Sequence, residues 1–426
     1  MRYEMHMRRT FIPFTATRIL PYCGITFLLA LVAHNRASDV SLIAYVLAIY
    51  SVLAVIVSMS LGATGNLIAE HVGDPQEKAR LFRGGFSVAM LMALVALLLG
   101  LLMLVFTVYL PGAQMDVSSV YSLSAIYIGA IPLLVINTFL QLFHEASSDY
   151  QACSMIKSIV TVFSVLYLCV AFLMAGAAVF IYWAMGYFLF SEALLLLCLL
   201  SLSWQRNLSF SPLYCTRTVQ NITALGFPIA FGLAGQKLYF YLLNEKLAAV
   251  MSVWVAQLSV YMSVVGLFMI PVIAYCQAHS LYISRHAEQR LTSYSKGQLG
   301  VWALVVLLLC VLSVTGRAIF FWVGEEIVVF DRDAFISLSC LLASGSVLSL
   351  STSYLRGLRD TFAPQLIMNA VMLSVLVPII YFASAEGADI HFYLRLQSSG
   401  LLAGFVFLQL RIRHRHVKET LKPSAV

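Results

Sequence analysis

The sequence predicts an all-α polytopic membrane protein: 12 transmembrane helices in two pseudo-symmetric six-helix bundles. Three observations predict it. Of the 426 residues, 61% are hydrophobic and only 11% charged, against roughly 45–50% apolar and about 25% charged in a soluble domain. The apolar residues fall into runs long enough to cross a bilayer, and the cations between those runs alternate from side to side. Mean hydropathy is +0.90. A chain with this little charge cannot cover a water-facing surface, which excludes soluble enzyme folds.

A spanning helix needs about 20 mostly apolar residues, because ~30 Å of hydrocarbon is crossed at ~1.5 Å per residue. Runs that qualify are 11–33, 40–61, 84–108, 119–142, 153–175 and 177–201, then, after a more polar stretch, 222–243, 248–271, 297–316, 334–353, 364–383 and 392–410. The first run follows a basic N-terminus but is interrupted by Arg18 and Pro21 and lacks a small-x-small cleavage site. It reads as a retained span rather than a signal peptide. The predicted organisation is an N-terminal bundle at 1–201, a cytoplasmic linker at 202–221, a C-terminal bundle at 222–410 and a basic cytoplasmic tail at 411–426.

Charge tests that count independently. With both termini cytoplasmic, 18 of the 26 Lys and Arg fall on the cytoplasmic side, among them Arg2, Arg8 and Arg9 at the start and Arg411, Arg413, Arg415, Lys418 and Lys422 at the end. The opposite face holds four (Arg36, Lys246, Arg317, Arg332), and four lie in spans (Arg18, Lys157, Lys237, Arg395). This is the positive-inside distribution, and an odd number of spans would scramble it. Short loops and a compact tail point to a bacterial inner membrane. The net charge of +7 sits in these loops and is no nucleic-acid surface.

The halves resemble each other. Pro13 and Pro228 are 215 positions apart, as are His71 and His286, each preceded by an Ile at matching spacing (Ile68, Ile283). Phe143, Ala146 and Asp149 match Tyr354, Gly357 and Asp360 at an offset of 211. Near-constant offsets close to half the chain length indicate a duplication. Six spans per copy is an even number, so both copies enter from one face and are related by a two-fold axis along the membrane normal.

Three motifs resemble the multidrug and toxic compound extrusion (MATE) family. Ser60-Leu61-Gly62, with Ala69-Glu70-His71-Val72-Gly73-Asp74 and Glu77-Lys78-Ala79-Arg80, is similar to that family's loop after span 2. Leu225-Gly226-Phe227-Pro228-Ile229-Ala230 resembles its opening of span 7. Tyr354-Leu355-Arg356-Gly357-Leu358-Arg359-Asp360-Thr361 with Pro364 resembles its LRGxxDT corner before span 11. The resemblance implies two six-helix bundles, export of small organic molecules, and coupling to inward flow of protons or sodium ions. It also marks departures: the register of the family's common span-1 coupling Asp falls near Leu28, and those of a Glu and an Asp found in some sodium-coupled members fall at Gln236 and near Gly345.

The polar residues inside spans are the candidate site. Glu192 is the one acid placed well inside a predicted span, where an ionised, unpaired carboxylate costs at least a few kcal/mol. It is expected to face the bundle interior and to serve as the cation-coupling group, with a structural hydrogen bond to another helix as the alternative. Lys237, with Gln236 and Tyr239, is read either as a substrate-binding cluster for an acidic or zwitterionic group or as an interfacial anchor. Arg18, Lys157 and Arg395 read as snorkelling cations near span ends.

Other chemistries find no support. There is no GxxxxGK[ST] phosphate loop, no C-x-x-C pair among the eight Cys, and no His deep in a predicted span. The sequence therefore predicts no cofactor, no metal and no enzyme. Taken with the MATE resemblance, this implies a secondary active exporter working by alternating access, with a small organic substrate, a coupling proton or sodium ion, the lipid bilayer and no nucleic acid as expected partners. A lipid-linked saccharide flippase of the same superfamily, or a non-transporting membrane scaffold, is the alternative.

Overall fold

The computed structural model describes residues 3–107, 117–213, 216–324, 328–382 and 389–420. Among these there is no strand, and nearly every residue is helical. The helices are α1 (Tyr3–Asn35), α2 (Ala37–Met59), α3 (Thr64–Glu70), α4 (Pro75–Thr107), α5 (Val117–Ala146), α6 (Tyr150–Met174) and α7 (Ala177–Gln205). They continue with α8 (Thr216–Val250), α9 (Ser252–Arg285), α10 (Arg290–Gly324), α11 (Arg332–Gly357), α12 (Phe362–Asn369), α13 (Val377–Phe382) and α14 (Ile390–Thr420). A π-helical stretch, Ala370–Leu376, joins α12 to α13 into one span. With α3 set aside as a short helix in the loop after α2, this gives the twelve spans expected.

Among the described residues ten spans are both long and apolar. The other two are α8 and α14, which are helical throughout but carry more polar residues, including Gln236 and Lys237 in α8 and Arg395 and Gln397 in α14. Helices outrun the predicted spans at many ends, because a helix continues past the hydrocarbon wherever its backbone can go on bonding internally.

The chain divides into two compact units: Ile12–Ala230, and Phe231–Val426 together with Met1–Phe11. The divisions differ from the expected 1–201 and 222–410. Both fall inside a helix, close to Pro13 in α1 and Pro228 in α8, where proline deprives the carbonyl four residues earlier of its helical donor. The expected linker shrinks to the segment between α7 and α8. The expected tail is the continuation of α14 as far as Thr420, and residues 421–426, with Lys422, lie outside the described residues, as do Arg2 and Cys215.

Each unit is built around its fourth span. In the first unit, α5 packs against α2, α3, α4, α6 and α7; in the second, α11 packs against α9, α10 and α14. Both have 61% of their most apolar window buried, more than the other eight of the ten long apolar spans among the described residues. The matched sequence positions have matched geometry too. His71 and His286 both end a helix with ring Nδ1 bonded to the carbonyl four residues back, Leu67 at 3.0 Å and Tyr282 at 3.1 Å. Asp149 and Asp360 each follow a residue of positive φ, Ser148 at 76° and Arg359 at 60°. Each also donates its backbone N–H to the carbonyl five residues earlier, His144 and Leu355. The duplication inferred from spacing is thus visible in local structure.

Candidate functional site

The first unit holds a cleft among α1, α6 and α7 in which the candidate coupling residue sits. Its lining includes Pro21, Lys157, Ser164, Tyr187, Ser191 and Glu192. Proline, hydroxyls and apolar groups make most of the wall, with one acid and one base. A second groove of this unit, along Tyr167, Val170, Met174 and Trp183, has no charged residue among its described lining.

Glu192 is held from α5. Asn137, itself 2% exposed, donates from Nδ2 to the Glu192 backbone carbonyl at 2.8 Å and to carboxylate Oε2 at 2.7 Å. Both amide hydrogens are thereby committed to one residue, which fixes the height and rotation of the carboxylate. A second helix anchoring a span acid is what the cost of an unpaired intramembrane charge requires. Among the described residues the Asn137 Oδ1 and Ser164 Oγ atoms are buried without a partner, leaving oxygen capacity at Asn137 and in the cleft wall. Gly24 on α1 lets the Tyr187 phenol lie against the helix backbone, since a Cβ there would overlap the hydroxyl. Asn137 was legible only as a polar residue in span 4. Its pairing with a residue 55 positions away had no sequence signal.

The predicted cluster on α8 does not converge. Gln236 is half-buried, Lys237 is exposed, and Tyr239 is completely buried in the core of the second unit with Leu243, Leu247 and Tyr261. Residues two apart on a helix point about 200° apart, so Lys237 and Tyr239 face opposite ways. Two buried amides approach this part of α8 instead. Gln365 and Asn369 of α12 rest on Gly232 and Gly235, where any side chain would collide with them, and Asn369 Nδ2 donates to the Phe231 carbonyl at 3.3 Å.

The span cations have partners or positions that the snorkelling expectation did not include. Arg18 lies 3.5 Å from Glu145, which is 1% exposed and also accepts from Gln141 at 2.7 Å. Glu145 lies beyond the predicted span end at residue 142, but α5 runs to Ala146 and buries it. Arg395 pairs with the exposed Asp333, and Lys157 lines the Glu192 cleft.

The corner between α5 and α6 carries a second polar cluster. His144, fully buried, places Nε2 2.8 Å from Ser203 Oγ and Nδ1 3.3 Å from Asp149 Oδ2, while Arg206 donates to Asp149 Oδ1 at 2.6 Å. Burial pushes the Asp149 carboxyl upward, but the His144 hydrogen bond and the charges of Arg206, His144 and Lys78 outweigh it and hold the group below its ordinary value. In the second unit Asp360 is clamped by Arg411 and Arg415, both at 3.0 Å. His279 is also buried, with Tyr3 Oη 3.0 Å from its Nδ1. Among the described residues no group of three His, Cys, Asp or Glu could hold a metal ion.

No protein-family model matches the sequence, and no curated protein does. Solved structures do match the fold over nearly the whole chain. A MATE protein in its straight conformation is 12% identical, with 98% of this chain and 97% of that chain covered and a TM-score of 0.77. An outward-facing multidrug resistance MATE family transporter of the MOP superfamily is 13% identical, with 97% and 96% covered and a TM-score of 0.77. A MOP superfamily transporter from Pyrococcus furiosus, whose reversed binding-pocket polarity suggests a different function, is 12% identical, with 96% of each chain covered and a TM-score of 0.76. The chain shares its fold with these transporters, in agreement with the resemblance its three motifs carry.

Proposed function

We propose that this chain is a secondary active exporter of small organic molecules, driven by a proton or sodium ion moving inward in exchange, with Glu192 as the cation-coupling group. The observation that carries the reading is a carboxylate inside a span, fixed by Asn137 and bordering a cleft, in a twelve-span fold shared end to end with MATE and MOP transporters. A cation on Glu192 removes the charge that the bilayer interior penalises, so occupancy biases one conformation of the cleft over another. A shift of about 1.4 kcal/mol between conformations changes their ratio tenfold. The site has the features of a binding and switching device, not of a catalyst.

In this reading the membrane is an inner membrane and both termini face the cytoplasm, an orientation that the cation distribution supports. Gln236 and Lys237 contribute substrate contacts in the second unit, and Tyr239, from inside the core, seats α8 for them. The lipid-linked saccharide alternative needs the span cations free to hold a pyrophosphate. Arg18 and Arg395 are engaged by acids, which leaves that reading with less to stand on.

The test is flux in proteoliposomes under an imposed pH or sodium gradient, using ethidium as a cationic probe and fluorescein as an anionic one. Gradient-dependent movement of either probe is expected in the wild type, and Glu192→Gln should reduce it to the passive rate. Gradient-driven flux that survives in the variant removes Glu192 from the coupling mechanism.

A further inference from the structure

Lys157 is the one cation lining the Glu192 cleft, and its position invites more than an interfacial role. It lies 17 residues before the end of α6, while Glu192 lies 15 residues after the start of α7. The two helices form a hairpin and pack against each other. At a rise of ~1.5 Å per residue the two Cα atoms differ in depth by only about 3 Å. Lys157 is half-buried and makes no ion pair within 4.0 Å among the described residues. An ammonium and a carboxylate therefore share one small, mostly apolar cleft at one depth without being in contact.

Taking Glu192 as the coupling group, we propose that Lys157 is its internal counter-ion. When the coupling cation leaves, the Lys157 ammonium takes its place on the Glu192 carboxylate; when the cation returns, the ammonium withdraws. The four-carbon stem of lysine supplies the reach, and its compact charge can be exchanged where a bidentate guanidinium would be held. The exchange keeps the carboxylate from ever standing ionised and unpaired in the bilayer interior, the state that costs most. The other groups facing Glu192 are the phenols of Tyr127 on α5 and Tyr187 on its own helix, both close enough to feel its charge, and the Asn137 amide. From α1 the cleft receives only Pro21 and Ile25. Among the described residues Lys157 is thus the sole positive charge lining the cleft.

Dicyclohexylcarbodiimide, which modifies carboxyls in their neutral form in apolar surroundings, reads the state of Glu192 without any substrate. The purified full-length protein would be treated at a pH of about 8, and modification of the Glu192 peptide followed by mass spectrometry, with Glu192→Gln as the blank. Lys157→Gln should be modified about tenfold faster than wild type, equivalent to ~1.4 kcal/mol, and Lys157→Arg no faster than wild type. Lys157→Met serves in place of Gln if the latter fails to give a cooperative thermal transition. Equal rates in wild type and the neutral variants would overturn the proposal, and so would Lys157→Arg reacting as fast as Lys157→Gln. The expected rates with no gradient-driven flux in wild type would sink the exporter reading and leave the pair standing.

Discussion

Single residues here act through what they hold. Asn137 gives both hydrogens to Glu192, and Asp149 gathers His144 and Arg206. Asp149 has a measurable signature because its carboxyl is held below the ordinary value near 3.8. A carboxyl depressed in the folded state contributes stability that is complete above its unfolded value and fades as pH falls through the folded one. Wild type should therefore be more thermally stable than Asp149→Asn at a pH of about 5, and the margin should shrink as pH falls below about 4. A margin that does not change across the acid range would mean Asp149 is not charged in the folded corner. These roles were only partly legible in the sequence. Glu192 stood out as an acid surrounded by leucines, whereas Glu145 did not, because hydropathy ends a span where the oil ends and the helix itself continues. The partner of Arg18 lies 127 residues away, and no local pattern encodes it.

The elements repeat in design. The fourth span of each unit is the most buried of the long apolar spans described, and after each comes a corner with a residue of positive φ and an aspartate that binds arginine. In the first unit that arginine is Arg206, next after α7; in the second, Arg411 and Arg415 lie on α14. The corner thus ties the unit's sixth span to its fourth. Asp360 is 6% exposed while its arginines are about a third exposed, so water can take over part of the arginines' share when the acid is removed. Asp360→Ala should cost about 1–3 kcal/mol, read as a lower thermal midpoint in detergent, and Arg411→Ala alone should cost less because Arg415 remains. Equal stability of wild type and Asp360→Ala would show that the corner is held by its backbone alone. The offset of 211 between the two aspartates made the repeat legible. The arginines were not, since Arg411 and Arg415 read as a solvated tail until α14 was seen to extend through them. The π-helical stretch after α12 and the glycine seats at Gly232 and Gly235 likewise depend on which helices meet, which a single sequence does not state.

At the scale of the whole molecule, the fold rests on hydrophobic length, charge parity and duplication, all of which a sequence records directly. Function depends on what those spans do together. If the cleft at Glu192 serves alternating access, it opens to one side of the membrane at a time, and the coupling cation decides which. The most direct measurement places a cysteine at Ser191, a cleft-lining position beside Glu192, in a background lacking the eight native cysteines. Membrane-impermeant maleimide is then applied separately to each face of oriented vesicles, at acid and alkaline pH and with and without sodium. Alternating access predicts labelling from one face in one ionic condition and from the other face when the condition is reversed. Labelling confined to the same face under every condition would contradict it.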